Sequence, residues 1–173
     1  MKFTDNAPMP IIAFDFDGTI NVDGEGIFPE CGKPRHLAKQ VIDFMHKLGI
    51  KIVIWTSRDV AYNQEEKKMY DHMSHMIDWL DKNEIHYDAI NKSIQFAPYH
   101  YNGRKVYAHM YVDDRAFGWY ESDEVMIVVF KSFMINICGI SDEYSIHAMV
   151  NCIMNNKDPE LWMIDEVRLW RIK

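Results

Sequence analysis

The segment Pro10-Ile-Ile-Ala-Phe-Asp-Phe-Asp-Gly-Thr-Ile20 is the part of the sequence around which the fold is expected to form. Its apolar residues, Ile11 to Phe14, predict a short buried strand. Two carboxylates one residue apart, Asp15 and Asp17, follow that strand directly. Because burying charge is costly unless something compensates it, the pair indicates a site that holds a cation.

The composition of the 173-residue chain, 48% hydrophobic and 26% charged, is that of an ordinary globular protein. The length predicts a single domain over residues 1–173, with a core at about 10–140 and a C-terminal helical extension at about 141–173. The net charge of -7 disfavours a dedicated nucleic-acid-binding protein without excluding a nucleic-acid substrate. No apolar run reaches the roughly 20 residues of a membrane-spanning helix, so no membrane partner is expected.

The three cysteines, Cys31, Cys138 and Cys152, are odd in number and lack metal-binding spacing. No signal peptide is recognisable at the start of the sequence. Together these features predict reduced cysteines and a cytoplasmic location.

Helical and strand patterns alternate after the first strand, and glycines at 21–33 predict a loop or small hairpin. The predicted elements are a helix from Pro34 to Gly49, a strand over 50–55, a long helix over 60–82, and strands over 85–90 and 106–112. This alternation predicts an α/β Rossmannoid fold, a parallel sheet with helices on both faces.

The last third of the sequence is less clearly patterned. The apolar run at 125–138 fits a strand or a helix, and the N-terminal signals at 122–124 favour the helix. Extra C-terminal helices are expected from Ser141 and from Asp158-Pro159. They can cover the sheet, provide a face for a homo-oligomer, or act as a lid on the site of a neighbouring chain.

The carboxyl ends of parallel strands meet at one edge of a sheet, so Asp15, Asp17, Thr56 and Asp113 are expected to converge. Such a site suits phosphoryl transfer. Asp15 would attack phosphorus, and Asp17 would exchange protons with the leaving group and with water. An EF-hand calcium loop does not fit, because its register would start at Ala13, which has no ligand oxygen in its side chain.

Mg2+ is the cofactor that this chemistry predicts, since it prefers oxygen ligands. Asp15, the backbone carbonyl of Asp17 and one carboxylate of the pair Asp113-Asp114 would hold the ion. The sequence favours Asp113 but leaves the choice within the pair open.

Three motifs of the chain resemble those of the haloacid dehalogenase (HAD) superfamily: Asp15-Phe-Asp-Gly-Thr19, Ile54-Trp-Thr-Ser-Arg58 and Tyr111-Val-Asp-Asp-Arg115. The resemblance covers roughly residues 10–120. It implies a Rossmannoid fold and Mg2+-dependent phosphatase chemistry, because Asp17 stands where phosphatases of the superfamily have an aspartate and dehalogenases lack it. The spacing of the motifs leaves no room for a cap domain, as in the small capless members.

The resemblance also implies one essential lysine, for which there are two candidates. Lys105 lies eight residues before Asp113, as in small capless members, and is preferred. Lys92 lies twenty-one residues before Asp113, a spacing common in other branches.

Phosphate binding is assigned to Gly18, Thr56, Ser57, Arg58 and Lys105. The loop Phe96 to Tyr101, with Arg104 and Arg115, is the candidate contact for the rest of the substrate.

The function predicted from these features is hydrolysis of a small or nucleotide-like phosphate monoester. A polynucleotide-end phosphatase and a non-catalytic HAD-like binding protein are the alternatives.

Overall fold

The computed structural model describes residues 9–22, 30–95, 103, 105–116 and 122–169. The predicted lead-in before Met9, the tip of the predicted loop at 23–29, and the aromatic loop at 96–101 with Arg104 lie outside the described residues. Strands and helices are labelled here in chain order. The strands are β1 (Ile11–Phe14), β2 (Asn21–Val22), β3 (Lys33–Pro34), β4 (Lys51–Ile54), β5 (Val60–Asn63), β6 (Lys68–Asp71), β7 (Ala89–Ile90) and β8 (Met110–Val112). The helices are α1 (Ala38–Lys47), α2 (His72–Lys82), α3 (Val125–Asn136), α4 (Glu143–Met154) and α5 (Leu161–Leu169).

Four parallel strands form the central sheet in the order β7-β4-β1-β8. The two middle strands, β1 and β4, are almost wholly buried, which explains their unbroken apolar sequences. The predicted α/β Rossmannoid class is therefore confirmed. Two antiparallel hairpins, β2 with β3 and β5 with β6, lie beside this sheet.

The two faces of the sheet are covered differently. Ile12, Phe14 and Ile52 point into the main core, together with buried side chains of all five described helices. On the other face, Ala13 and Val53 pack against Val106, Tyr107 and other side chains of the connection from β7 to β8. Among the described residues, this connection therefore occupies the face where a second layer of helices was expected.

The helix predicted over 60–82 is wrong in its first half, which forms the β5–β6 hairpin. Asn63 Oδ1 accepts hydrogen bonds from the N–H groups of Glu65 and Glu66 and so stabilises the turn. The helix begins only at His72, where Asp71 accepts the Ser74 N–H at 2.9 Å. Met69, assigned to the helix, is instead 57% exposed on β6.

The first predicted helix also begins later than expected. Pro34 pairs with Asn21 in the β2–β3 hairpin, and α1 starts at Ala38 after Leu37, whose φ is +62°. The predicted end at Gly49 is confirmed, because the helix stops at Lys47 and Gly49 has a φ of +88°.

The ambiguous run at 125–138 forms a helix, α3, as the sequence favoured. It is apolar on nearly every side because it lies within the main core with α1 and α4. The three cysteines are free thiols, as predicted. Within the described residues, no helix is both long and apolar enough to cross a bilayer.

Candidate active site at the carboxyl edge of the sheet

A cleft of about 500 Å³ opens at the carboxyl edge of the sheet, where β1, β4 and β8 end. The backbone of Asp15 is fixed by its N–H, which donates to Val112 O at 2.8 Å, and Trp55 N–H donates to Phe14 O at 2.7 Å. The cleft is lined by Asp15, Asp17, Trp55, Thr56, Ser57, Asp113 and Arg115.

Three carboxylates form an acidic cluster in this region. Asp15, Asp113 and Asp114 each offer an oxygen, and these oxygens lie within 4.8 Å of one another. The pKa of Asp15 is raised to about 7, and burial is the main cause. A hydrogen bond from the Phe16 N–H lowers this pKa. The negative charges of Asp113, Asp17 and Asp114 raise it further. A divalent cation would relieve this repulsion, and an all-oxygen donor set suits Mg2+.

The side chain of Asp114, the second carboxylate of the Asp113-Asp114 pair, lies against the wide turn Phe16–Ile20, which follows β1. Gly18 has a φ of +74°, and a Cβ there would lie 2.2 Å from Asp114 Oδ2, so only glycine fits. The buried Thr19 hydroxyl accepts the Asp114 N–H at 2.9 Å. The predicted phosphate-binding Gly18 thus has a second task, which is to leave space for Asp114.

Arg35 stabilises the turn Phe16–Ile20 through its side chain, a role that was not predicted from the sequence. Its Nε donates to Thr19 O at 2.7 Å, and its Nη2 donates to Gly18 O. The side chain is buried. A basic residue at the start of a helical pattern normally suggests a solvated position, so the sequence offered no signal for this contact.

Arg58 is bound to Asp17 in a bidentate pair. Its Nε donates to Asp17 Oδ2 at 2.8 Å and its Nη2 to Asp17 Oδ1 at 2.7 Å. The Arg58 side chain is 1% exposed, and its guanidinium carbon lies 5.1 Å from the centre of the Phe16 ring. Arg58 was assigned to the phosphate from the sequence, but in this structure its charge faces the proposed acid–base residue.

Thr56 is held by a residue that the sequence did not single out as functional. Thr56 N–H donates to Asn91 Oδ1 at 2.9 Å, and Asn91 Nδ2 donates back to Thr56 O at 2.8 Å. Asn91 has a φ of +49°, a conformation that asparagine tolerates better than most residues. An asparagine directly after a strand was the available signal. The Thr56 hydroxyl accepts the Arg58 N–H at 3.1 Å, so its own proton can be donated into the cleft.

Neither candidate lysine is among the residues that line the cleft. Both Lys92 and Lys105 are exposed, and Lys105 Nζ lies 4.9 Å from the centre of the Tyr111 ring. Of the other predicted residues, Ser57 and Arg115 line the cleft and are exposed. Asp113 Oδ1 accepts the Arg115 N–H at 2.8 Å, which fixes the loop after β8.

Fold and site together define a Rossmannoid α/β protein with a carboxylate cluster at the carboxyl edge of its sheet. A conserved protein from Bacteroides thetaiotaomicron has a similar structure, with a TM-score of 0.53 and 22% identity, covering 75% of this chain and 91% of its own. A crystal structure from Vibrio cholerae aligns over 86% of this chain and 100% of its own, with 21% identity and a TM-score of 0.40. The first similarity supports the fold alone. No protein-family model and no curated protein sequence matches the chain.

Proposed function

We propose that the protein is a Mg2+-dependent phosphohydrolase of the HAD type that cleaves phosphate monoesters. The observation behind this proposal is the cluster of Asp15, Asp113 and Asp114, whose oxygens lie within 4.8 Å beside Thr56 and Ser57. An acidic cluster next to hydroxyl groups at the end of parallel strands suits a metal with a phosphate. The three sequence motifs that resemble the HAD superfamily provide the same residues.

In the proposed reaction, an Asp15 oxygen attacks phosphorus while the bond to the leaving oxygen breaks, which gives an aspartyl-phosphate. Asp17 donates a proton to the leaving alkoxide and then takes one from the water that hydrolyses the intermediate. Asp15, Asp113 and Asp114 would hold Mg2+, whose charge offsets the repulsion between the carboxylate and the phosphate. The Thr56 hydroxyl donates a hydrogen bond to a phosphate oxygen.

The pair formed by Asp17 and Arg58 sets a condition on this mechanism. Both oxygens of Asp17 accept hydrogen bonds from Arg58. Proton transfer to a leaving group requires that Asp17 first take up a proton from solvent and that one of its oxygens turn toward the cleft. Asp17 lines the cleft and is 26% exposed, so a small rotation of its side chain meets the second requirement.

The substrate class that we propose is a small or nucleotide-like phosphate. The cleft has a volume of about 500 Å³, and Arg115 is the cation on its rim among the described residues. A polynucleotide end is disfavoured by the net charge of -7. Lys105 stays the preferred essential lysine, with Lys92 as its rival. The free cysteines support a reducing compartment, and we propose the cytoplasm.

A second candidate function is metal-dependent phosphate binding without turnover. Two observations favour it: Asp17 is paired with Arg58, and neither Lys92 nor Lys105 lines the cleft. In that case the protein would hold a phosphorylated ligand against Mg2+ and Thr56 and release it unchanged.

The deciding experiment measures phosphate release from a panel of phosphorylated metabolites, nucleotides and short 5′- or 3′-phosphorylated oligonucleotides, with Mg2+ and with EDTA. We expect Mg2+-dependent turnover that is lost in Asp15→Asn and falls about 10²–10⁴-fold in Asp17→Asn. Lys105→Ala and Lys92→Ala then identify the essential lysine. Ligand binding without turnover would favour the second candidate, and turnover that persists in Asp15→Asn would exclude the mechanism.

A further inference from the structure

A second group of metal-ligating side chains lies at the opposite edge of the sheet. His46, His86 and Asp88 each offer one donor atom, and these atoms lie within 4.8 Å of one another. Asp88 precedes β7, and its N–H donates to Ile52 O near the start of β4, whereas the acidic cluster follows the strand ends. The proposed phosphohydrolase mechanism uses none of these residues.

The position of His86 has no explanation in ordinary hydrogen bonding. Its Nε2 is buried and has no hydrogen-bond partner among the described residues. The atom lies 3.6 Å from Asp88 Oδ2, which is too long for a hydrogen bond. Two ligands of one tetrahedral zinc ion, with bonds of about 2.0–2.1 Å, lie about 3.3–3.4 Å apart. The observed separation is therefore close to that of two atoms that share an ion.

Asp88 is held in the geometry of a metal ligand by its own hydrogen bonds. Its Oδ2 accepts the Ile52 N–H at 2.8 Å, and its Oδ1 accepts Lys51 Nζ at 2.6 Å. Ligating carboxylates usually have such supporting partners, which fix their orientation. One lone pair on each oxygen remains for a further contact.

His46 provides the third donor from the other side. It lies in the last turn of α1, where the helix carbonyls present partial negative charge that favours a cation. Its ring stacks on that of His86, with centroids 3.4 Å apart and an angle of 24° between the planes. Because the lone pair of an imidazole nitrogen lies in the plane of its ring, the binding of one ion by both histidines requires His46 to rotate out of this stack.

The cleft beside this group is lined by more carboxylates than lysines. His46 and His86 line its volume of about 430 Å³ together with Asp43, Asp81 and Glu84. Lys39 Nζ lies 2.7 Å from Asp43 Oδ2 and 3.8 Å from Glu84 Oε2, so part of this negative charge is already compensated. The lysine in the lining, Lys47, is paired with Asp158 at 2.6 Å.

We propose that His46, His86 and Asp88 form a binding site for Zn2+, separate from the Mg2+ site at the carboxyl edge of the sheet. Two imidazole nitrogens and one carboxylate suit zinc and neighbouring transition metals, whereas Mg2+ takes oxygen ligands. The fourth position faces the cleft and is open to water or to a ligand from outside.

The test uses the full-length chain without an affinity tag, treated with EDTA, in an Asp15→Asn/Asp113→Asn background that weakens the other site. Zn2+ is titrated by calorimetry against a competing chelator, and Co2+ is added to record the visible absorption of a four-coordinate site. We expect one Zn2+ per chain and the intense Co2+ bands of tetrahedral coordination. In His86→Ala, zinc affinity should fall more than about 100-fold, since even supporting partners of a ligand are worth 10–100-fold.

The matched control is His75→Ala, which removes an exposed histidine of α2 and should leave both signals unchanged. If His86→Ala does not fold, as judged by circular dichroism, Asp88→Asn replaces it, because the amide oxygen still accepts the Ile52 N–H. Equal zinc affinity in the background chain and in His86→Ala or Asp88→Asn, or no saturable zinc uptake by the background chain, would overturn the proposal. Neither result depends on phosphohydrolase activity.

Discussion

The guanidinium of Arg58 donates two hydrogen bonds, of 2.8 and 2.7 Å, to the carboxylate of Asp17. The arginine is buried, whereas the aspartate reaches the cleft. The pair therefore links the interior of the protein to the residue that we propose exchanges protons with the substrate. Removing either partner should affect folding as well as chemistry.

A double-mutant cycle with Asp17→Asn, Arg58→Met and the double variant measures this link. Loss of one charge of a buried pair is destabilising because the other charge stays in a poorly solvated place. We expect a coupling free energy of about 1–3 kcal/mol from urea unfolding. The half-exposed helix pair Lys39–Asp43, in the same cycle, should give only about 0.3–0.5 kcal/mol. Equal coupling in both cycles would contradict the structural role of Arg58.

Gly18→Ala should disturb the acidic cluster without replacing any of its carboxylates. The new Cβ would meet Asp114 Oδ2 at 2.2 Å, and the φ of +74° adds about 1–2 kcal/mol of strain. We expect a lower unfolding midpoint and a loss of the shift that Mg2+ produces in it. Gly103→Ala is the control, since among the described residues the nearest atom to its Cβ would be Lys105 O at 3.8 Å. An Mg2+ response in Gly18→Ala equal to that of the wild type would refute this reasoning.

Asp15→Asn should stabilise the metal-free protein at pH 8. Because the pKa of Asp15 is raised to about 7, chiefly by burial and then by neighbouring carboxylates, the folded state binds a proton that the unfolded state releases. Without metal, wild-type stability should therefore fall as the pH rises from about 4 to about 7 and stay low above that, and the asparagine variant should lack this fall. Mg2+ should raise the thermal midpoint of the wild type only.

Asp123→Asn, an exposed change of the same kind, is the control and should behave like the wild type. If the metal-free Asp15→Asn chain melts below the wild type at pH 8, the ionised carboxylate of Asp15 does not destabilise the fold, and the prediction is wrong.

Asn91→Ala should loosen Thr56. The change removes two hydrogen bonds to the Thr56 backbone, each worth about 1 kcal/mol, at a position whose φ is +49°. Asn156→Ala has the same left-handed backbone, with a φ of +50°, on an exposed turn and controls for backbone strain. We expect Asn91→Ala to lose about 2 kcal/mol more than Asn156→Ala in urea unfolding. Similar losses in the two variants would mean that Asn91 matters only because asparagine tolerates a positive φ, and not because of its hydrogen bonds to Thr56.

His109 should make folding sensitive to mild acid. Burial lowers the pKa of its imidazole, and its Nδ1 accepts the Ile11 N–H at 3.0 Å, which a protonated ring cannot do. The unfolded chain therefore takes up protons first, near the ordinary pKa of about 6.5. Stability should be full above that pH and should fall as the pH drops below it.

His109→Asn provides the comparison, because its amide oxygen accepts the same N–H and does not titrate. Urea midpoints at pH 8, 7, 6 and 5 should fall less steeply in the variant. The pKa of His46 is also lowered by burial, but His46 is present in both proteins, so the difference reports on His109. Parallel pH profiles would exclude His109 as the sensitive group.

The sequence predicted the residues at the strand ends because two simple patterns coincide there. An apolar run marks a buried strand, and a carboxylate directly after it must lie at the edge of the sheet. The two patterns identified Asp15, Asp17, Thr56 and Asp113, and all four line the cleft. Each strand end can be recognised from a few neighbouring residues, and the parallel topology alone brings these strand ends together.

Contacts between distant side chains were beyond such patterns. Arg58 and Asp17 are 41 residues apart, and an arginine beside a phosphate motif looks the same whether it faces substrate or a carboxylate. The β5–β6 hairpin was missed because Met69, Met73 and Met76 happen to follow helical spacing. Asn63 instead stabilises a turn through two local hydrogen bonds, which cannot be predicted from the spacing of apolar residues.

The two middle strands of the central sheet have four residues each and are mostly apolar, whereas the strands at its two edges are shorter. Among the described residues, β7 has two residues and β8 has three. An unpaired strand edge can template the addition of further strands from other molecules, and a short edge offers few backbone groups for this. The two mostly aliphatic strands, β1 and β4, are paired on both sides within the sheet, and the short edge strands offer few backbone groups to which another molecule could bind.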